Sequence, residues 1–270
     1  MIYLLGMSHM ISLLHAVQQT EGSVSLDNWS TQEHEGFFPV KLKPGMLPAK
    51  QMQALVIGRQ AWDPLVHYAE SGGRRVLEGH RGFIEALQPL QENQEDNVIL
   101  SYLNGNGHAA LSILQHPQPF DFVLPGHEDM GMQPGFQPVP HELIRKHIQP
   151  FQVSTIGALS FLRVLLPKTR IIHILPPPPS SEEQIRNKPE LFGGPMAATG
   201  VTPLSVRRKY YLLANRVLRE QVHGLGIELL EAPPDSMAAD GSLRDDLSAG
   251  ATHGNSAYGA LVAAQLRDLL

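Results

Sequence analysis

The opening stretch MIYLLGMSHM (residues 1–10) continues as ISLLHAVQQ (residues 11–19), and its reading decides the fold. Residues 2–5 (IYLL) are apolar without alternation and are stopped by Gly6. A short continuous apolar run is what a strand buried on both faces of a parallel sheet requires. Residues 9–19 then carry apolar side chains at near-helical spacing and end in a polar turn. Strand, tight turn and helix follow one another, and the turn holds Ser8.

The same unit recurs along the chain. NVILSYL (97–103) is the clearest strand; it runs into the turn NGNGH (104–108) and the short helix AALSILQ (109–115). RIIHIL (170–175) is a strand ended by the prolines of 176–179, and GIELLEAPP (226–234) is the last strand. QALVIG (53–58) and RRVLEG (74–79) also have strand character. Helices are expected over 82–92, over 141–166 with a break or kink near Pro150, over 204–222 and over 254–270. Residues 20–52 read as loop-rich. Two Pro- and Gly-rich segments, 116–140 and 181–203, stand as loop or lid insertions, and long irregular loops of this kind are often functional. Strands alternating with helices predict an α/β fold: a three-layer αβα sandwich with a mostly parallel central sheet, in a single domain spanning 1–270. Ligands bind such sheets at the carboxyl ends of their strands. Three turns are expected there: the one bearing Ser8, NGNGH, and the loop before the last helix.

Composition narrows the chemistry. With 42% hydrophobic and 17% charged residues the chain is globular. A net charge of −5 argues against nucleic acid as a main partner, because phosphate binding needs a basic surface. There are no cysteines, so disulfides, thiolate catalysis and Cys-based zinc sites are excluded. The opening lacks a basic n-region, and Ser8 and His9 interrupt its apolar run, so it does not read as a signal peptide. No apolar run reaches membrane-spanning length, and the expectation is a soluble, cytoplasmic protein without a membrane partner. His141, Glu142 and His147 do not form H-E-x-x-H, no Walker A motif exists, and neither a metal nor a cofactor is expected.

Three residues at the strand-end turns carry candidate chemistry. Ser8 precedes a helix, where backbone N–H groups favour developing negative charge; the same position suits a helix N-cap. His253, in ATHGNSAYG, has an imidazole that can take a proton from a serine hydroxyl, or it is a loop histidine. Asn106 can aim its amide at an oxyanion, or it belongs to an ordinary glycine-rich turn. Residues 105–110 (GNGHAA) also fit the dinucleotide pattern G-x-G-x-x-A, but no acidic residue ends the next apolar run.

The order of these three residues resembles the SGNH (GDSL-type) hydrolase superfamily, and in particular its bacterial members with G-x-SH, GN-x-H and HGN…YG blocks. Gly6-Met7-Ser8 is similar to the family's Gly-Asp-Ser, with Met7 in place of Asp. Asn104-Gly105-Asn106-Gly107 stands for Gly-x-Asn-Asp, and Gly250-Ala251-Thr252-His253 for Asp-x-x-His. The resemblance implies that Ser8 is the nucleophile and His253 its base. It implies an oxyanion hole formed by the Ser8 N–H, Asn106 and one glycine, for which Gly79 is the choice and Gly58 and Gly82 stay open. The block's aspartate is missing at Gly250. Asp245 or Asp246 could loop back to His253, a backbone carbonyl could hold a Ser–His dyad, or the protein is a weak or inactive member. His9 and His108 flank the nucleophile and the oxyanion donor and are expected to line the pocket. Arg207, Arg208 and Lys209 read as a solvated helix face, and Asn255 and Tyr258 as cap and packing, with Asn255 a possible tether of the histidine loop.

The expected function is a serine esterase acting on a carboxylic ester through an acyl-enzyme, with an O-acetylated glycan or glycoside as substrate. The alternatives are a dinucleotide-binding oxidoreductase built on GNGHAA and a non-catalytic SGNH-fold binding protein.

Overall fold

The strand β1 (Ile2–Gly6) lies at the centre of the protein in a computed structural model that describes residues 1–19, 24–29, 36–48, 51–58, 65–103 and 107–270. It pairs in parallel with β3 (Met52–Val56) on one side and β6 (Val98–Tyr102) on the other, with Gly6 in register with Val56 and Tyr102. The six-stranded sheet continues from β6 through β9 (Arg170–Ile174) to β10 (Glu228–Leu230). It ends on the other edge at β2 (Phe38–Val40), whose pairing with β3 is the antiparallel one.

Helices cover both faces, which is why β1 is apolar at every position. Ile2 and Leu4 pack into a core with α1 (Met10–Val17) and α8 (Ser256–Leu269), among them Leu13, Leu14, Val262 and Leu266. Tyr3 and Leu5 point the other way, to Phe83 and Leu87 of α2 (Arg81–Leu87), Leu159 and Leu162 of α4 (His141–Leu165) and Leu218 of α7 (Leu204–Val222). This is the three-layer αβα sandwich expected from the sequence. The helix α4 runs through Pro150 as one element. Short helices complete the chain: α3 (Gly107–Ser112) after β6, then α5 (Glu182–Asn187) and α6 (Gly193–Thr199) inside the segment expected to be loop or lid. Among the described residues no helix is long and apolar enough to cross a membrane.

Two expectations are corrected here. RRVLEG does form a strand, β5 (Arg74–Gly79), but it pairs with β4 (Val66–Ser71) in a separate two-stranded hairpin outside the central sheet. So short a run, with only Val76 and Leu77 apolar, could not distinguish a hairpin from a sheet strand. The second correction concerns α7. Arg207 and Lys209 are not on a solvated face: both are fully buried, because the segment 116–140 and the chain around 180 and 202 fold over them. The segment 116–140 contributes β7 (Phe120–Asp121) and β8 (Gln137–Pro138), and Phe122 and Leu124 fill a third core against Ile144, Val206, Tyr210 and Leu213.

Candidate active site

The end of β1 fixes Ser8. Ile57 N–H donates to the Gly6 carbonyl at 2.8 Å and Met7 N–H to the Tyr102 carbonyl at 3.2 Å, so the chain leaves the sheet between β3 and β6. It turns at once into α1, with Ile11 N–H donating to the Ser8 carbonyl at 3.1 Å. Ser8 does not cap this helix: the N-cap position is His9, and no side chain caps the helix there. The Ser8 hydroxyl lies instead 2.8 Å from His253 Nε2. The amide of Ser8 makes no hydrogen bond among the described residues, which leaves a donor at the helix N-terminus beside its own hydroxyl.

His253 is held by a hook between residues 247 and 255. Asn255 N–H donates to the Leu247 carbonyl and Ala249 N–H to the His253 carbonyl, both at 2.8 Å. Asn255 closes the hook from its far end. Its Oδ1 accepts from Ala257 and Tyr258 N–H at the start of α8, and its Nδ2 donates to the Asp246 carbonyl at 2.8 Å. The cap and the tether expected of Asn255 are therefore one residue doing both. Farther in, Ser180 Oγ donates to the Gly250 carbonyl at 2.9 Å, and Arg207 Nη1 donates to the Ser180 carbonyl at 2.5 Å.

The other imidazole nitrogen, Nδ1, meets Glu190. The distance to Glu190 Oε1 is 3.0 Å, and Thr252 Oγ1 lies 2.9 Å from the same Nδ1 while donating to Glu190 Oε2 at 2.9 Å. An ionised carboxylate only accepts, so the Nδ1 side of a neutral imidazole carries the proton and Nε2 offers its lone pair to the Ser8 hydroxyl. Burial alone would raise the Glu190 carboxyl, but the hydrogen bond and charge of His253 and the Thr252 donors outweigh it and hold it below the usual carboxylate range.

Glu190 is the residue that sequence reasoning missed. Asp245 and Asp246, expected to supply the acid, do not reach His253. Both are exposed: Asp245 accepts from Ser181 Oγ at 2.8 Å, and Asp246 is paired with Arg244 at 2.6 Å. The two aspartates lie on the exposed side of the short turn Asp245–Leu247, whose Leu247 is buried, so nearness in sequence did not become nearness in space. The one signal for another acid was the glycine at 250. Gly79 is corrected too. A Cβ there would overlap the Phe161 ring, so the glycine makes room for α4 packing, and it ends a hairpin strand. On one side of β1 the neighbouring sheet strand is β3, and the buried Gly58 lies two residues beyond its end. Asn106, with Asn104 and Gly105 of the NGNGH turn, lies outside the described residues, so the start of the GNGHAA stretch does too. His9 is at the site, its ring 4.6 Å from that of His253 and tilted by 31°. His108 is buried in the first turn of α3, 5.3 Å from the Tyr211 ring, and lines a small cavity with Ala251 and Thr252.

No protein-family model and no curated protein matches the chain. Among solved structures it is similar to the periplasmic domain of a lipopolysaccharide acetyltransferase from Salmonella ser. Paratyphi A, at 12% identity and a TM-score of 0.47, over 99% of this chain and 82% of that one. It is also similar to a carbohydrate acetylesterase from Sinorhizobium meliloti, at 10% identity and a TM-score of 0.42, over 99% and 97% of the two chains. A third is the aryl esterase of M. smegmatis, at 12% identity and a TM-score of 0.40, over 100% and 99%.

Proposed function

We propose that the protein is a serine hydrolase of SGNH type that cleaves a carboxylic ester through an acyl-enzyme on Ser8. The observation that carries this reading is the 2.8 Å contact between Ser8 Oγ and His253 Nε2, at the carboxyl end of the central strand of a parallel sheet. His253 Nε2 takes the hydroxyl proton as Ser8 Oγ bonds to the acyl carbon. The resulting oxyanion is held by the Ser8 N–H, with Gly58 N–H and the Asn106 amide as its further donors. The tetrahedral adduct collapses as the imidazolium gives its proton to the leaving alcohol oxygen. Water, deprotonated by the same Nε2, then attacks the acyl-enzyme, releases the acid and restores Ser8. An acetyl ester on a sugar is the narrower substrate reading, and it comes from the sequence resemblance.

The test is turnover of a short-chain aryl ester. Ser8→Ala and His253→Ala are each expected to lose on the order of 10⁴-fold or more in kcat. A Ser8→Ala variant that turns over like the unaltered protein would overturn the proposal.

A further inference from the structure

Glu190 and Gly250 lie sixty residues apart in the chain and compete for one volume. A Cβ placed on Gly250 would lie 2.5 Å from Glu190 Oε1 and 3.3 Å from its Cδ. The aspartate missing from the Gly250-Ala251-Thr252-His253 block would therefore project into the space that the Glu190 carboxylate fills. The carboxylate there does three things: it faces His253 Nδ1, accepts from the Thr252 hydroxyl, and lies 3.3 Å from the Thr252 N–H. Its backbone has φ +53, in the left-handed region that non-glycine residues seldom adopt. Such geometry is kept where the surrounding structure requires it. What it secures here is a carboxylate reaching the imidazole from the surface segment between α5 and α6.

We infer that Glu190 is the acid of the site, delivered from a different segment, and that Gly250 is its reciprocal partner. This rests on the hydrolase reading of Ser8 and His253. Glu190 acts through His253, so it is a positioning residue. It accepts the Nδ1–H hydrogen bond, fixes the tautomer that leaves Nε2 basic, and stays ionised while the imidazole carries the serine proton. The glycine at 250 is thus an accommodation to Glu190 and not the loss of an acid.

The test compares Glu190→Gln, Glu190→Gly, Gly250→Ala and the double variant Glu190→Gly/Gly250→Asp with the unaltered protein. In Glu190→Gln kcat should fall roughly 10²- to 10⁴-fold with KM within about threefold, because ground-state binding does not involve the Nδ1 side. The low-field proton resonance of the His253 Nδ1–H, identified by its loss in His253→Gln, should vanish or move upfield. Gly250→Ala should lower kcat by displacing the carboxylate. The double variant should regain at least about tenfold over Glu190→Gly, since Asp at 250 restores a carboxylate to the same volume. A purely structural role for Glu190 would give neither the resonance change nor the rescue. Glu190→Gln with near-normal kcat and an unchanged resonance would overturn the inference while the Ser8→Ala result left the hydrolase reading standing. An unaltered protein with no turnover at all would overturn both.

Discussion

The two Pro- and Gly-rich segments, 116–140 and 181–203, look alike in sequence and do opposite things. The first is anchored from below. Lys209 Nζ donates to both oxygens of Asp121 at 2.8 and 2.7 Å and to the carbonyls of Phe122 and Gly131 at 3.0 and 2.6 Å, and both charged side chains are fully buried. Asp121 uses its remaining capacity on the N–H groups of Phe122 and Gln133. The second segment is held at its two ends. Arg207, two residues before Lys209 on α7, donates to the carbonyls of Thr202 and Ser180; desolvation pulls its guanidinium down to about 10, and among the described residues no carboxylate lies at salt-bridge distance from it. Between those ends α6 has no buried residue, and Leu191, beside Glu190, is exposed. One segment is a structural strap; the other carries a carboxylate to the imidazole. Composition marks both as irregular, and the difference lies in what α7 grips.

That contrast predicts a separation of stability from rate. The largest stability effect belongs to the strap. Lys209→Met leaves Asp121 buried without its cation and should cost about 3–5 kcal/mol in denaturant unfolding. The folded fraction should keep near-normal kcat, and a large drop in kcat would break the contrast. Arg207→Met should cost less, about 1–3 kcal/mol, because it orphans two carbonyls and removes a desolvated charge without stranding an acid.

The smallest effect is on Glu190 itself. Its carboxyl is held below its ordinary value in the folded protein, so it adds stability that is present above the unfolded-state value and lost as pH falls through the folded one. The unfolding free energies of the unaltered protein and Glu190→Gln should differ slightly at neutral pH and converge below the ordinary carboxylate range. A difference that grows on acidification would contradict the sign.

Much of the architecture could be read in the chain because several central strands are short, largely apolar runs closed by a turn or by prolines. β1, β6 and β9 announce themselves in this way, as do α7 and α8. The hairpin β4–β5 did not, since a short run such as RRVLEG has the same pattern on a free ribbon as at a sheet edge. Ser8 and His253 were legible because each sits in a short motif next to a helix start. Glu190 was not, because KPELFGG (residues 188–194) has no feature that ties it to a histidine 63 residues on. Arg207 and Lys209 misled for a similar reason. Cations on a helix read as solvated unless one knows which segment folds over them, and that depends on contacts distant in sequence.

The central claim, a nucleophilic serine at the tip of β1, is tested most directly by reaction with a fluorophosphonate followed by intact mass and peptide mapping. The account predicts a single adduct on Ser8, absent in Ser8→Ala and formed far more slowly in His253→Ala. A protein that forms no adduct, or carries it on a residue other than Ser8, would contradict it.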